Sequence, residues 1–438
     1  MKRNVKRVVL MPLAFGLLAM SIAACSNSTG NDTSDKPVTI TLQSHYNGTN
    51  ETFLKPIIDK WNKENPLIQV KLDPVDFENL VPTIMAKSTA GKGADILHFY
   101  TLWSGQLQKN KMLAEAPESV KADVEAQYPD GAKQGSYFDG KLLGWPTEVQ
   151  TYGFFYNKRL FEEAGIAEPP KTWDEMLEVA VKLNKNDASG KPIQQGLGLA
   201  RGAATDEVKP FAALLSTAGV NLYSEDMTKS MIDSDASKKL VDVYSKIYGK
   251  GGTSDIGFVA GKAMSEGKLG MMIHAGWYSG SLRAKMGDNF KDIAVTDLPS
   301  MDGTGKGSLT YTFSWGVSEK SKNKEAAWKF LTWFNTEPVY DGLTPEGKFL
   351  LDTFNQVSSR KSDQETKVIK DKLATDPILA KFNEIMFYAH PEQAPVAATE
   401  LFDLQFKEIE KMWTGQETPD QMISAIQSVV TKKLAESN

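Results

Sequence analysis

The residues that could do chemistry are sparse and scattered. Only four histidines occur in 438 residues. His45, His98, His274 and His390 are far apart, and none forms the HExxH pair that would hold a catalytic zinc. Each reads as a packing or surface imidazole, although His45 draws interest because it sits at the end of a first strand, where ligands gather in α/β folds. The serine elbow GxSxG is absent, since Gly276-Trp277-Tyr278-Ser279-Gly280 places its first glycine one residue too early. Gly135 to Lys141 follows the GxxxxGK spacing of a phosphate loop, but Leu142 stands where a Mg²⁺-binding Ser or Thr is needed. The same stretch reads better as a hairpin turning at Asp139-Gly140. Paired carboxylates discriminate nothing here, because with 55 acidic residues some pair will always lie near a cleft.

The ends and the charge narrow the setting. Lys2, Arg3, Lys6 and Arg7 precede an apolar stretch over 8–22, and Ala23-Ala24-Cys25 follows, so 1–24 is expected to be a secretory signal. That stretch is interrupted by Pro12 and falls short of the roughly 20 residues a spanning helix needs. Cys25 is the only cysteine, and its surroundings resemble the lipobox of bacterial lipoproteins. Ser26, Asn27, Ser28, Thr29, Gly30, Asn31 and Asp32 cannot pack, which suits a lipidated Cys25 on a flexible tether over 25–36. The expected location is therefore the outer face of the cytoplasmic membrane. Without a second cysteine the exported part has no internal disulfide. Lys and Arg number 50 against 55 Asp and Glu, and four of the cations lie in the leader. The remainder is acidic, which argues against a nucleic-acid partner.

The elements that must position any site alternate in type. Val38-Thr39-Ile40-Thr41-Leu42 reads as a strand. Phe53, Leu54, Ile57, Ile58 and Trp61 share a helical face, and Ile68-Val70-Leu72 is a second strand. Asn65-Pro66 ends the helix between them. A helix near 79–88 leads to a short apolar run, Ala94 to Phe99, suited to a buried parallel strand. This β-α-β-α-β order predicts a parallel sheet with right-handed crossovers. Thr172-Trp173-Asp174-Glu175 and Thr418-Pro419-Asp420-Gln421 predict two capped helix starts. A further helix is expected over 321–334, its inner face formed by Ala326, Ala327, Phe330, Leu331 and Phe334. A mature chain of this length predicts two domains, and no cofactor is expected.

At Trp145-Pro146-Thr147-Glu148-Val149-Gln150-Thr151-Tyr152-Gly153-Phe154-Phe155-Tyr156-Asn157-Lys158-Arg159-Leu160-Phe161 the chain resembles the extracellular solute-binding protein family 1. It departs from the family's pattern at Thr147 and Glu148, which replace apolar and small residues. Further segments are similar to that family in the same order: Phe161 to Ile166 with Pro170 to Glu175, Gly267 to Trp277, Trp315 to Ser318, and Ser321 to Ala327. The resemblance implies an α/β, two-lobed periplasmic-binding-protein fold of type II, each lobe a sandwich, with three chain crossings forming a hinge. The crossings are expected near Pro146, Pro299 and Asp376. Residues 37–146 and 300–375 would form one lobe, and 147–299 and 376–438 the other. The implied function is that of a monomeric, non-enzymatic component of an ABC importer, delivering a carbohydrate to a permease with its ATPase.

A sugar offers flat C–H patches and a rim of hydroxyls, so its site needs aromatic faces and fixed polar groups. Aromatics stand after strands throughout the chain: Tyr46, Tyr100, Trp103, Trp277 and Tyr278, with Trp315 near a later crossing. The resemblance places Tyr46 in a first ligand loop, Phe99 and Trp103 in a second, and Gln150 at a polar contact. It also places Trp277 and Phe402 at stacking positions. Glu148 and Gln150 are expected to bind hydroxyls. Two other readings stand beside this one: a secreted, membrane-anchored hydrolase or lyase acting on carbohydrate, and a binder of a peptide, polyamine or phosphate ester.

Overall fold

The computed structural model describes residues 36–199, 203–255 and 257–437. The segments expected to be a secretory signal and tether, with Cys25, lie outside them. Among the described residues no helix is long and apolar enough to cross a membrane.

Eight strands organise the body of the chain: β1 (Val38–Ser44), β2 (Ile68–Pro74), β3 (Ile96–Tyr100), β4 (Trp145–Asn157), β5 (Pro192–Gly198), β6 (Leu269–Ala275), β7 (Ile293–Thr296) and β8 (Leu309–Val317). β1 pairs in parallel with β2 and β3, as the alternating pattern predicts. β8 runs antiparallel to β3 and to the first half of β4. The thirteen-residue β4 then changes partners. Up to Thr151 it pairs with β8, and from Tyr152 it pairs with β6 on one edge and β7 on the other. β5 extends this second half in parallel with β6. One continuous strand therefore threads two half-sheets, β2-β1-β3-β8-β4 and β7-β4-β6-β5.

Helices cover both halves. Leu54, Ile57, Ile58 and Trp61 of helix Thr49–Glu64 are buried beside β1 and β2, but the expected fifth member, Phe53, is exposed. It lies about 100° round the helix from Leu54, at the edge of the apolar stripe. Helix Lys324–Thr336 starts three residues later than expected, and it buries Ala327, Phe330, Leu331 and Phe334 as the spacing predicts. Thr172 and Glu175 form the predicted reciprocal cap. Thr418 and Gln421 do the same, each side chain accepting from the other's backbone N–H. Tyr137–Phe138 pairs with Lys141–Leu142 across Asp139 and Gly140, both at positive φ, so the phosphate-loop spacing is indeed a tight hairpin.

Candidate functional site

A cavity of about 280 Å³ opens where the two half-sheets meet. Its walls come from strand ends and the loops after them: His45 after β1, Tyr100 closing β3, Glu148 and Tyr152 on β4, His274 on β6, and Trp277 just beyond it. Tyr311 and Phe313 of β8 and Asp206 and Lys209 of helix Ala204–Ser216 complete it. The β8 contribution follows from strand period. Tyr311 and Phe313 face the cavity, whereas Thr310, Thr312 and Ser314 turn the other way and hydrogen-bond the carbonyls of Gln150 and Ala132 and the hydroxyl of Ser136. Phe313 stacks on Tyr100 at 4.9 Å, and Trp277, a residue 40% exposed, stands edge-on to His274. The exposed face is available to a ligand.

The polar groups are held rather than loose. The Trp277 backbone N–H donates to Gln150 Oε1 at 2.9 Å, which fixes the amide. Gln150 Nε2 must then donate to Glu148 Oε1 and to Gln356 Oε1, each at 2.8 Å. Gln356 Nε2 donates to the Val149 carbonyl, anchoring the set to β4. Tyr46 donates its hydroxyl to Glu148 Oε2 at 3.2 Å. Burial pushes the Glu148 carboxyl up to about 7, against the lowering effect of these two donors. Burial likewise lowers His45 and His274 to about 4, so both imidazoles are neutral.

A second device closes one wall. Lys209 Nζ lies 3.0 Å from Glu392, and Tyr100 donates its hydroxyl to the same carboxylate at 2.8 Å. The ammonium also sits over the Tyr311 and Tyr100 rings, at 3.9 and 4.3 Å. This desolvated pair is tolerable only because charge, hydrogen bond and two ring faces converge on it. Burial lowers Lys209 and raises Glu392, while each opposes the other's shift.

A neighbouring cavity of about 370 Å³ shares Phe77, Tyr100 and Thr205 with the first and continues along Trp103, Phe402 and Asp403. Among the described residues no cluster of His, Cys, Asp or Glu could hold a metal ion.

The residues anticipated from sequence therefore divide. Tyr100, Glu148 and Trp277 line the first cavity, and Tyr100, Trp103 and Phe402 line the second. Gln150 sits behind Glu148 as a positioning group and lines neither cavity. Four aromatics expected at the cleft are packed elsewhere. Phe99 is fully buried because it alternates with His98 and Tyr100 and so faces the opposite side of β3. Trp315 shares the row of Tyr311 and Phe313 but lies deeper, its indole N–H bonded to Glu346. Tyr46 is enclosed by His98, Trp315 and Phe349 and reaches the cavity only through Glu148. Tyr278 stacks on His274 and donates its hydroxyl to the Gly261 carbonyl. Sequence reasoning missed Phe77, Tyr152, Asp206, Lys209, Tyr311 and Phe313 as lining groups. Leu309-Thr310-Tyr311-Thr312-Phe313-Ser314-Trp315 carried a signal: aromatics at period two against small hydroxyls.

Residues 46–340 match the model of a family described as bacterial extracellular solute-binding protein. The chain is 26% identical over 332 residues to a binding protein of Brucella abortus, covering 72% of this chain and 75% of that one. It is 24% identical over 437 residues to the galactooligosaccharide-binding protein of Bacillus subtilis, covering 95% and 90%. The solved structure of the cyclic alpha-maltosyl-1,6-maltose binding protein from Arthrobacter globiformis superposes with a TM-score of 0.76 at 21% identity, covering 91% of this chain and 100% of that one. That likeness is one of fold, the two-lobed type II arrangement. By its match across these 295 residues and by the fold they adopt, the chain belongs to the bacterial extracellular solute-binding protein family.

Proposed function

We propose that this protein captures a neutral carbohydrate, an oligosaccharide, in the cavity between its half-sheets and presents it to the permease of an ABC importer. The carrying observation is the make-up of that cavity: the ring faces of Trp277, Tyr152, Tyr311 and Phe313 surround a buried carboxyl and two neutral imidazoles. Ring faces suit sugar C–H patches, and fixed acceptors suit hydroxyls. The sugars named for its relatives support this class of ligand. Lobe boundaries would fall near Pro146 at the start of β4, near Pro299 in the passage from β7 to β8, and near Asp376 just before helix Pro377–Met386. Ligand touching both sides then stabilises a closed arrangement. Export as a monomer anchored through a lipid on Cys25 completes the reading, with no reaction on the sugar.

A thermal-shift screen against mono- and oligosaccharides tests it, with chromatography of the same mixtures. A ligand at a hundredfold excess over its Kd should add about 2.7 kcal/mol of stability, and the sugar should be recovered unchanged. Products that form steadily, and vanish in Glu148→Gln, would replace the binder by a hydrolase or lyase. Thermal shifts with peptides, polyamines or phosphate esters alone would change the cargo.

A further inference from the structure

We propose that Asp206 is a specificity-determining residue that closes the site to acidic carbohydrate, its carboxylate cancelling the anion-attracting end of its own helix where that end opens on both cavities. The inference rests on the carbohydrate reading above and adds to it which sugars are refused, namely uronates and other anionic forms.

Helix Ala204–Ser216 begins where the two cavities adjoin. Ala203, Ala204 and Thr205 line the second cavity, and Thr205 and Asp206 line the first. No side chain caps this helix start. The first turn of a helix leaves N–H groups without intrahelical acceptors and carries about half a positive charge, which draws anions. A sugar carboxylate would be favoured at this point unless something opposed it. The first turn holds two acidic residues, Asp206 and Glu207. Glu207 is buried and accepts the Trp413 indole N–H, so it is engaged elsewhere. Asp206 lines the first cavity and is half-buried, and among the described residues its carboxylate has no hydrogen-bond or ion-pair partner. Its full negative charge outweighs the half charge of the helix end.

No other lining group among the described residues would receive an acid. Lys209 is the one lysine or arginine on the first cavity, and it is already held 3.0 Å from Glu392 with its ammonium over the Tyr311 and Tyr100 rings. His45 and His274 are neutral. Glu148 is a second carboxylate on the same cavity, and both its donors, Gln150 and Tyr46, are uncharged. The second cavity adds Glu78 and Asp403, and its described lining contains no Lys, Arg or His. Every charge left without an oppositely charged partner along the two cavities is therefore negative, and walls of low dielectric concentrate the field of such groups. A neutral sugar feels little of it. A uronate would have to bring its charge into that field with no cation to meet it, and a site rejects a competitor most strongly by such a repulsive element.

The test is calorimetric titration of the whole protein with maltotriose, galactotriose and cellotriose, each beside the same sugar oxidised at its primary hydroxyls to carboxylates. Burial raises the Asp206 carboxyl from its ordinary 3.8, so the titrations are made at about pH 8, where it is ionised, and at low salt, where its field is least screened. A neutral sugar that binds should do so at least about 10-fold more tightly than its oxidised form. Asp206→Asn keeps the shape and removes the charge, and it should shrink the ratio of the two Kd values by about 10-fold. Asp206→Ser, also uncharged, serves if the amide variant folds poorly. An oxidised sugar that binds the parent protein as tightly as its neutral form, or a ratio unmoved in both variants, overturns the inference while the carbohydrate reading stands. Failure of all six sugars to bind overturns that reading, and the inference falls with it.

Discussion

The two adjoining cavities are built on opposite plans. In the first, two charged groups are buried and their orientations are dictated: Glu148 takes donors from two sides, one of them Gln150, itself locked from behind by the Trp277 backbone, and Lys209 is paired with Glu392. In the second, the rings of Phe77, Tyr100, Trp103 and Phe402 share the wall with aliphatic groups and with the side chains of Glu78, Gln106 and Asp403. A directed buried acceptor penalises a ligand that leaves it unmatched, whereas a ring face tolerates many sugars. The first cavity should decide which ligand binds, and the second should add affinity to ligands long enough to reach it.

The hardest blow to this contrast would come from Glu148→Gln. The amide keeps the shape but removes the charged acceptor, and a charge-assisted hydrogen bond contributes about 1.5–3 kcal/mol. Affinity for every sugar that binds should fall roughly 10- to 150-fold, as calorimetric titration would show. An unchanged Kd would remove the distinction between the cavities. Trp277→Ala comes next, weakening binding by about 10-fold or more while stability stays within about 1 kcal/mol, since the residue is already 40% exposed. Calorimetry beside chemical denaturation separates the two effects.

A smaller effect concerns pH. Burial raises Glu148 to about 7 and Glu346 to about 8 from an ordinary 4.5, so the folded protein holds these protons more tightly than the unfolded chain. The resulting stability is complete below pH 4.5 and is lost as pH rises through 7 and 8. Below pH 6.5 the buried, neutral His45, His98 and His274 act in the opposite sense, so the loss is read above it: denaturant titrations should show a fall on the order of 1 kcal/mol or more between pH 6.5 and 8.5. Glu346→Gln, away from the cavity, should flatten the upper part of that slope without altering sugar affinity. Smallest is Trp103→Phe, which trims a ring lining the second cavity and not the first; it should cost only about 0.5–1.5 kcal/mol, a few-fold in Kd, and only for ligands that extend into the second cavity. A length series of one sugar, from disaccharide to pentasaccharide, would reveal it. Equal losses at every length would mean that the cavities act as one.

Much of the framework was legible because local rules govern it. The β-α-β-α-β opening, the Asp139-Gly140 hairpin and the two capped helices each depend on residues within a few positions of one another. The site was legible only in part. Tyr100, Glu148 and Trp277 could be named because they end or follow strands, but the same rule also named Phe99, Trp315, Tyr46 and Tyr278. A strand's period tells which residues share a face. It leaves open which face meets the ligand, so Phe99 and Tyr100 were given equal standing although they point to opposite sides of β3. Phe402 was legible as an aromatic on a helix, yet its place on the wall of the second cavity depends on where that helix docks.

What the chain determined by itself was the order of its opening elements, the recognisable motif over 145–161, and a supply of aromatics at strand ends. Each of these follows from spacing and propensity over short stretches. Only the tertiary structure decided that Tyr46 would meet Glu148 across 102 positions, that Lys209 would meet Glu392 across 183, and that His45 would stack on His98. Such pairings are created when the two half-sheets join along one strand. Burial there removes the water that would otherwise satisfy these polar groups, so each must find its partner in the protein or in the ligand.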